Sequence, residues 1–311
     1  MAEIAKIKDN IEKVLIGKSE VIDLVLTGMV AGGHVLLEDV PGTGKTVLAK
    51  TLAKSVDLQF SRIQFTPDLL PADVTGLTIY NQKEGEFVLK KGPVFANILL
   101  ADEINRATPR TQSSLLECME EKQVTIDGVT YPLEEPFFVI ATENPIETAG
   151  TFPLPEAQLD RFLMKLSMGV PDFEEEIAIM NRFLVDNPML DIESVVSREE
   201  LLKANKEYKQ VYIHRDIIAY IAQIVEATRK NQNIVTGVSP RGTLAMLNAV
   251  RAYAYVQGRN YVVPEDVKLL SIPVFAHRIV VTAGMARGSG RRELIKEIVN
   301  QITVPTEEWD K

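Results

Sequence analysis

The chain has 311 residues, with 34 Lys and Arg against 43 Asp and Glu, so its formal net charge is −9. A single cysteine excludes a disulfide framework and, with only three histidines, argues against a structural zinc site. No apolar run approaches the roughly 20 residues that span a bilayer, and the N-terminal residues lack the apolar stretch of a signal peptide, so we expect a cytoplasmic protein with no membrane span.

Short apolar runs alternate with helix-like segments over the first two thirds of the chain. We predict buried strands at four of these runs, 34–38, 60–65, 97–101 and 137–141. A helix is predicted over 46–55, where Val47, Leu48 and Leu52 share one face. Continuous apolar runs of this length are typical of parallel strands covered by helices on both faces. The alternation therefore predicts an α/β fold with a parallel sheet flanked by helices.

Two segments interrupt this alternation and look like insertions. Residues 74–95 read as two short strands around 81–85, and residues 122–133 contain Asp127-Gly128 between β-rich segments. An Asp-Gly pair between strand-forming residues is a strong hairpin signal. We therefore predict a two-stranded insertion in each segment, separate from the core strands.

The pattern changes to helices after Val170-Pro171. Five candidate helices follow, over residues 173–184, 197–208, 215–230, 240–257 and 264–280. We place a domain boundary near residue 171, with an α/β core over 1–171 and a small all-helical domain over 172–311. The net charge is −8 in the first part and −1 in the second. This acidity argues against general binding to nucleic acid, which requires a basic surface.

The strongest functional signal is a glycine-rich turn between a predicted strand and a predicted helix. It reads Pro41-Gly42-Thr43-Gly44-Lys45-Thr46. Glycines allow backbone N–H groups to turn toward a phosphate, and the N-terminus of the following helix adds a positive dipole. In this pattern Lys45 reaches the β- and γ-phosphates and Thr46 holds Mg²⁺. The full pattern has another glycine five residues before Gly44, where this chain has Asp39; we expect the loop to close all the same.

Polar residues follow two other predicted strands, Asp102-Glu103 after one and Asn144 after the next. Ligands bind at the carboxyl ends of strands in such sheets. There Asp102 can hold Mg²⁺ through water, and Glu103 can polarise a water for attack on a γ-phosphate. Asn144 can position the same water. Arg161 and Arg241 are candidates to neutralise phosphate charge.

Together these residues resemble the AAA+ ATPases, and in detail the MoxR family. The resemblance covers about Ile16 to Val299 and rests on four stretches, VPGTGKT, LLADEINRATPRTQSSLLECMEE, ATENPIETAGTFPLPEAQLDRF and GVSPRGTLAMLNAVRAYA. It implies a P-loop NTPase core of the AAA+ type followed by a helical lid. It also implies that ATP and Mg²⁺ are bound.

The resemblance gives roles to the residues around the expected nucleotide. Walker A corresponds to the glycine-rich turn and the residue after it, namely Pro41, Gly42, Thr43, Gly44, Lys45, Thr46 and Val47. Walker B corresponds to Asp102 and Glu103, so that Thr46 and Asp102 are the expected Mg²⁺ ligands. Ile16-Gly17 corresponds to the segment that lines the adenine pocket.

The remaining candidates correspond to residues that respond to the γ-phosphate. Asn144 corresponds to sensor 1, and Arg241, in the Ser-Pro-Arg triplet, corresponds to sensor 2 on the lid. Arg161 stands where related proteins place an arginine finger that reaches the neighbouring subunit's nucleotide. Arg106 and Arg110 also lie in a stretch typical of the family, so they stay open as alternatives for that role.

The mechanism implied by the resemblance is ATP hydrolysis between the subunits of a ring, expected to be a hexamer of this chain. MoxR-type proteins resemble chaperones that assemble or activate protein clients, often with a partner that carries a von Willebrand factor A domain. The insertions at 74–95 and 122–133 correspond to loops that usually face the centre of the ring. We therefore expect an ATPase that remodels client proteins.

Two alternative functions stay open. One is the motor subunit of a metal chelatase, a related AAA+ class that also uses an adhesion-domain partner. The other is a nucleic-acid motor, because helicase-type rings carry a hairpin in the same place. Here that hairpin has Lys122 and no further basic residue through Leu133, with Asp127 at its tip. This composition does not favour a nucleic-acid partner.

Overall fold

The structure is a computed structural model that describes residues 1–40, 42–145, 150–184, 188–282 and 290–305. Its helices are α1 (Ala2–Glu12), α2 (Ser19–Val30), α3 (Lys45–Ser55), α4 (Pro71–Thr75), α5 (Pro109–Glu121), α6 (Glu156–Leu159), α7 (Phe173–Phe183), α8 (Arg198–Glu207), α9 (Arg215–Lys230), α10 (Pro240–Val256), α11 (Pro264–Phe275) and α12 (Gly290–Gln301). Its strands are β1 (Val35–Glu38), β2 (Phe60–Gln64), β3 (Gly76–Asn81), β4 (Glu86–Lys91), β5 (Ile98–Asp102), β6 (Gln123–Ile126), β7 (Val129–Pro132), β8 (Phe138–Glu143), β9 (Met164–Leu166), β10 (Ile234–Thr236) and β11 (Val280–Val281).

Five parallel strands form the central sheet, in the order β2-β5-β8-β1-β9. Because all five run in the same direction, their carboxyl ends meet at one edge of the sheet and their amino ends at the other. The carboxyl edge holds the residues that follow the strands, which are Asp39, Phe65, Glu103, Asn144 and Ser167. The amino edge holds the residues that precede them, which are His34, Gln59, Asn97, Phe137 and Leu163. The predicted parallel α/β sheet is confirmed.

The four predicted strands are confirmed as β1, β2, β5 and β8, and the predicted helix over 46–55 as α3. The sequence pattern does not predict β9, because this three-residue strand has Lys165 at its centre and offers no apolar run. Met164 and Leu166 on either side are buried, and β9 pairs with β1 in parallel. Its place in the sheet therefore depends on packing that a short sequence window does not contain.

Both predicted insertions are confirmed as hairpins separate from the central sheet. β3 pairs with β4, and β6 pairs with β7, each in an antiparallel arrangement. Asp127 and Gly128 link β6 to β7 with φ angles of +50° and +82°. Positive φ at both central residues is what a two-residue type I′ turn requires, so the Asp-Gly signal has its expected structural cause.

The sheet separates two hydrophobic clusters. The larger cluster combines α1, α2 and α3 with buried residues of the C-terminal helices α8 to α12. Polar contacts follow the same path, since Gln257 Nε2 donates to Asp23 Oδ2 at 3.0 Å and Asn205 Nδ2 donates to the Val30 carbonyl at 2.9 Å. The C-terminal helices are thus packed on α1 and α2 through a continuous apolar core.

The helical prediction beyond residue 171 is confirmed for α7 to α11, with one difference in the last predicted helix. That helix ends at Phe275, and Val280-Val281 forms β11, which pairs antiparallel with β10. The β-branched residues from 279 to 281 favour extended backbone. A 3₁₀ turn over 276–278 lies between the helix and the strand, and it buries His277 and Arg278.

Candidate nucleotide site

The glycine-rich loop connects β1 to α3 at the carboxyl edge. Gly42 and Gly44 have φ angles of +88° and +89°, which glycine adopts without the steric cost that other residues carry. Gly44 directly precedes α3, so the free N–H groups of that helix begin in the loop. Of the predicted loop residues, Pro41 lies outside the described residues.

A cleft of about 370 Å³ lies over this loop. It is lined by Gly42, Gly44, Lys45, Thr46, Val47, Arg62, Gln64, Asp102 and Glu103. Its volume falls in the range of small-molecule sites. The structure therefore brings residues of both predicted Walker motifs together in one cleft, which two residues of β2 also line.

Lys45 is held close to the loop backbone. Its Nζ donates to the carbonyl oxygens of Asp39 at 3.0 Å and Val40 at 3.4 Å. The side chain is only 9% exposed. An ammonium group fixed in this way presents its charge to the same space as the loop N–H groups, which suits an anionic ligand.

Asp39, the departure from the full glycine pattern, has a structural role of its own. Its carboxylate accepts hydrogen bonds from Ser167 Oγ at 2.8 Å, Met168 N at 2.6 Å and Gly169 N at 3.1 Å. The residue is 6% exposed, so these three donors replace its lost hydration. Asp39 thereby joins the start of the loop to the segment that follows β9 and leads to α7.

Asp102 uses both carboxylate oxygens at the end of β5. Oδ1 accepts from Thr142 Oγ1 at 2.7 Å, and Oδ2 accepts from Arg62 at 2.7 Å and 3.2 Å. Thr142 lies on β8 and Arg62 on β2, the two strands that flank β5. Because neighbouring strands supply its partners, the orientation of this carboxylate is set by the strand order.

Glu103 has a left-handed backbone with φ +55°, a conformation that costs a non-glycine residue about 1–3 kcal/mol and is common at functional sites. Its N–H donates to Thr142 Oγ1 at 2.8 Å, which helps to hold this conformation. Its Oε2 accepts from Gln64 Nε2 at 2.6 Å and from Arg106 at 3.0 Å. The carboxylate is therefore aimed and held at the cleft wall by two side chains.

Asn144 follows β8 at the same edge and is largely buried. Its carbonyl oxygen accepts from Asn105 Nδ2 at 3.5 Å. The preceding residue, Glu143, forms an ion pair with Lys165 at 3.4 Å. Burial raises the pKa of Glu143 above its ordinary value, and the charge of Lys165 only partly opposes this shift. Asn144 is not among the described residues that line the cleft, although it lies one strand away from Glu103.

The segment Ile16-Gly17 lies between the phosphate loop and α7. A Cβ atom on Gly17 would fall 1.9 Å from Glu175 Oε1, and one on Gly44 would fall 2.9 Å from Leu15 Cδ1. Gly17 also has a φ angle of +72°. The Glu175 side chain is flexible and can shift, so it is the left-handed backbone at 17 that favours glycine there.

Arg161 and Arg241 lie at the other end of the sheet. Arg161 Nε is 3.1 Å from Glu120 Oε2, and Arg241 Nη1 is 3.0 Å from Glu120 Oε1. Arg161 lies three positions before the first residue of β9. The carbonyl of Met119, next to Glu120, accepts a hydrogen bond from the amino-edge residue His34 at 3.0 Å. This arrangement locates both arginines and Glu120 at the amino edge.

The two groups of candidate residues are therefore separated by the length of the strands. β1 has four residues, which corresponds to about 13 Å at 3.3 Å per residue. Neither Arg161 nor Arg241 is among the described residues that line the cleft over the phosphate loop. Each arginine is half-exposed and points to a surface that a second molecule can reach.

Sequence reasoning does not identify four residues that contact the candidate groups, namely Arg62, Gln64, Glu120 and Thr142. Arg62 and Gln64 lie outside the four stretches that carry the resemblance, whereas Glu120 and Thr142 lie inside two of them without an assigned role. Gln64 is the last residue of β2, and β2 is paired with β5 so that Gln64 lies beside Asp102. Knowledge of the strand order would be the signal that finds it.

Comparison with known families agrees with this geometry. Residues 34–164 match the model of the ATPase family associated with various cellular activities (AAA), and residues 226–302 match the AAA lid domain. No helix in the described part of the chain combines the length and the apolarity that crossing a bilayer requires.

Several curated relatives are similar over almost the whole chain. The protein YeaC of Bacillus subtilis (strain 168) is 46% identical over 305 residues, which cover 98% of this chain and 95% of the relative. Chaperone MoxR1 of Mycobacterium tuberculosis is 43% identical over 305 residues, or 95% of this chain and 80% of the relative. Protein MoxR of Methylorubrum extorquens is 29% identical over 331 residues, or 97% and 95%.

A solved structure shares the fold. The crystal structure of a candidate ATPase from Cytophaga hutchinsonii superposes with a TM-score of 0.91 at 42% identity, and the match covers 98% of this chain and 96% of that one. The sequence relatives, the AAA and lid models and this structure agree with one another on the family and the fold. The chain belongs to the MoxR family of AAA ATPases.

Proposed function

We propose that this protein hydrolyses ATP at the boundary between two copies of the chain in a ring, and that hydrolysis drives chaperone-like remodelling of client proteins. One observation carries the proposal. The phosphate loop and the acidic strand end share a cleft at the carboxyl edge, whereas Arg161 and Arg241 meet at the amino edge. One copy alone therefore has the two halves of a phosphoryl-transfer site on different surfaces.

The residues at the carboxyl edge would bind the nucleotide. The N–H groups from Gly42 to Thr46 and the Lys45 ammonium would hold the phosphates. Ile16 and Gly17 would border the adenine, since they lie between the loop and α7.

The donors present at this edge also fit Mg²⁺. The Thr46 hydroxyl and the Asp102 carboxylate are oxygen ligands of the kind it prefers. The Asp102 carboxylate already faces a positive charge in this structure, because it lies 2.7 Å from the Arg62 guanidinium. When bound, Mg²⁺ supplies charge neutralisation at the phosphate oxygens.

Glu103 would orient and polarise the attacking water. Gln64 and Arg106 fix its carboxylate at the cleft wall, and Thr142 fixes its backbone. A general base with a set orientation contributes about 10²- to 10⁴-fold to a rate. Asn144, one strand further along the carboxyl edge, would position the same water from the other side.

The arginines would act on the neighbour's nucleotide. An arginine supplied by another molecule stabilises the charge of phosphoryl transfer by about 10³- to 10⁵-fold in rate. Arg161 is favoured over Arg106 for this role, because Arg106 contacts Glu103 at the nucleotide cleft of its own chain, whereas Arg161 lies at the opposite edge of the sheet. Arg110 is an exposed residue in the first turn of α5, and it does not share Glu120 with Arg241 as Arg161 does. Arg241 would act beside Arg161 on the same nucleotide of the neighbouring subunit.

The chain would work as two parts, a nucleotide-binding core over 1–171 and a lid over 172–311. The AAA and lid models match on either side of this division, at 34–164 and 226–302. A cytoplasmic location, expected from the composition, belongs to the same proposal.

Client remodelling is supported by two features. One relative over nearly the full chain is named Chaperone MoxR1. The β3–β4 hairpin exposes Tyr80 and Phe87, at 55% and 72%, with ring centroids 5.2 Å apart. An exposed aromatic pair of this kind is suited to apolar segments of a protein client. The expected helper is a protein with a von Willebrand factor A domain, and the expected assembly is a hexamer.

Replacing Glu103 by Gln tests the proposal. The change keeps the shape of the side chain but removes its charge, so we expect ATP binding within twofold of the unchanged protein and turnover lower by about 10²-fold or more. Glu226→Gln is the control, because Glu226 is an exposed carboxylate of α9 paired only locally with Lys230. Equal turnover in the Glu103→Gln protein and the control would reject the assignment. Native mass spectrometry with ATP measures the number of subunits.

A further inference from the structure

Arg278 is the most extensively bonded charged group away from the nucleotide cleft among the described residues. Its Nε donates to Asp160 Oδ1 at 2.6 Å, and its Nη2 donates to the carbonyls of Phe162 at 2.6 Å and Asp160 at 3.3 Å. Its Nη1 donates to the carbonyls of Leu163 at 3.0 Å and Val274. All five N–H donors of the guanidinium are therefore used.

Most of the acceptors belong to one short segment, residues 160–163, which contains Arg161. The donor lies 118 residues later in the chain, in the turn after α11. Arg278 is 9% exposed. Burial lowers the pKa of Arg278 to about 10 despite the contact with Asp160, so the group stays charged at neutral pH. A buried guanidinium with five acceptors fastens the segment that contains Arg161 to the C-terminal helices.

Asp160 makes a second link, to the helix that contains Arg241. Ser239 is the N-cap of α10, where its Oγ accepts from Gly242 N at 3.2 Å. The same hydroxyl lies 3.5 Å from Asp160 Oδ2. Arg241 is the second residue of α10 and therefore begins only two positions after this contact. The carboxylate of Asp160 thus borders both arginine-bearing elements.

Glu120 contacts both candidate arginines. Its two oxygens are within 3.1 Å of Arg161 and Arg241, one oxygen for each. The carboxylates of Asp160 and Glu120 thus form ion pairs with three guanidinium groups, those of Arg278, Arg161 and Arg241. The excess positive charge is on the half-exposed pair, where a phosphate of another molecule can reach it.

The geometry points to Asp160 and Arg278 as positioning residues that hold Arg161 and Arg241 as one unit, so that both arginines move with the C-terminal helices when those helices shift. This inference rests on the proposed function, in which the two arginines serve a neighbour's nucleotide. The inference goes beyond that function, because it assigns the coupling between the two arginines and the C-terminal helices to a buried ion pair that touches neither nucleotide nor client. Neither arginine would then reach the phosphate independently of the lid.

Asp160→Asn tests the inference, because it removes the charge with little change of shape. We expect turnover to fall by about 10- to 100-fold, the cost of misplacing a group by about 1 Å, with ATP affinity within twofold. Glu156→Gln is the matched control, since Glu156 lies on the adjacent helix α6 and makes an exposed contact with Arg291 at 3.4 Å. Turnover of the Asp160→Asn protein equal to that of this control would overturn the inference.

Mixed assemblies separate positioning from a general structural defect. A Glu103→Gln subunit cannot hydrolyse its own ATP but keeps intact arginines, so mixing it with Asp160→Asn subunits should recover turnover. Arg161→Ala mixed with Glu103→Gln is the reference. Recovery with Arg161→Ala but not with Asp160→Asn would overturn the role of Asp160 alone. Recovery with neither would reject the proposed arrangement between subunits, and the inference with it.

Ser239→Ala provides a second test if the Asp160→Asn chain does not assemble. It keeps the buried ion pair and removes the link between Asp160 and α10, together with the N-cap hydrogen bond from Gly242 N. We expect a smaller loss of turnover, again recovered by mixing with Glu103→Gln. Unchanged turnover in an assembled Ser239→Ala ring would overturn the coupling between the two arginines.

Discussion

The two edges of the central sheet hold their functional side chains in different ways. At the carboxyl edge, the strands themselves deliver the groups, and each carboxylate is bonded to the strand beside it, as Asp102 is to Thr142. At the amino edge, the arginines are held by other elements, α5 on one side and the turn after α11 on the other. The first arrangement is built into the strands of the core. In our proposal, the second changes when the C-terminal helices move.

This difference suggests a division of labour. A site that binds a nucleotide benefits from preorganised groups, because binding then requires no rearrangement. A group that responds to the state of a neighbour needs an arrangement with more than one stable position. The following predictions test whether the edges divide binding from turnover in this way.

The largest effect is expected at the amino edge. Arg161→Ala should lower turnover by about 10³-fold, because it removes a charge that acts on the transferred phosphoryl group. ATP affinity should stay within twofold, since Arg161 lies away from the cleft of its own chain. Steady-state kinetics and titration with a fluorescent ATP analogue measure the two quantities. A parallel loss of affinity would show that the edges are not separate in function.

The complementary change at the carboxyl edge is Lys45→Ala. It should weaken ATP binding by about 100-fold, because it removes a charge-assisted contact worth about 3 kcal/mol. Lys50→Ala, on the exposed side of the same helix, is the control. Calorimetric titration with ATP measures the affinity. Undiminished binding by Lys45→Ala would contradict the assignment of the phosphate loop.

Asp39→Gly would give this chain the full glycine pattern of the phosphate loop, yet we expect it to be harmful. The change leaves three donors around the loop without their carboxylate, so the free energy of unfolding should fall by about 3 kcal/mol. Urea unfolding followed by circular dichroism measures it. Unchanged stability would mean that Asp39 tolerates replacement as an ordinary loop residue.

An effect of similar size is expected as a pH dependence at the amino edge. Burial lowers the pKa of His34 from 6.5 to about 4. Its Nδ1 accepts from Val139 N at 3.0 Å and its Nε2 donates to the Met119 carbonyl, so the folded protein needs the neutral ring. Between pH 6.5 and 4 the unfolded chain takes up a proton that the folded chain does not. Stability contributed by this group is complete above pH 6.5 and is lost as the pH falls, by about 3 kcal/mol in all.

His34→Gln isolates this effect. Although the variant should be less stable at pH 7, the decrease of its unfolding free energy between pH 6.5 and 4 should be smaller by about 3 kcal/mol. Urea titrations at a series of pH values measure both slopes. Identical slopes for the two proteins would rule out His34 as the group responsible.

The same two edges show how far sequence reasoning reaches. The phosphate loop, Asp102-Glu103 and both hairpins are contiguous patterns, and each has a local physical cause such as a positive φ or a strand end. Several partners of these groups are distant in sequence. Gln64 meets Glu103 across 39 residues, and Thr142 meets Asp102 across 40.

The amino edge is the harder case. Arg161 and Arg241 can be selected as candidates, but nothing in the sequence indicates that they share Glu120 or that Asp160 contacts Arg278. Likewise, the sequence presents Asp39 as a defect in a pattern, because its three donors come from residues 167–169. These contacts depend on the strand order and on how the C-terminal helices pack, and neither is expressed in any short window.

The distance in sequence between Asp160 and Arg278 also has a consequence for synthesis. Chains grow at about 5–20 residues per second, so Arg278 leaves the peptidyl-transferase centre roughly 6–24 seconds after Asp160. All residues of the nucleotide cleft precede both. A growing chain therefore contains all the residues of the cleft before it contains the residue that, in our proposal, orients Arg161. The order of translation would then separate nucleotide binding from hydrolysis in the newborn protein.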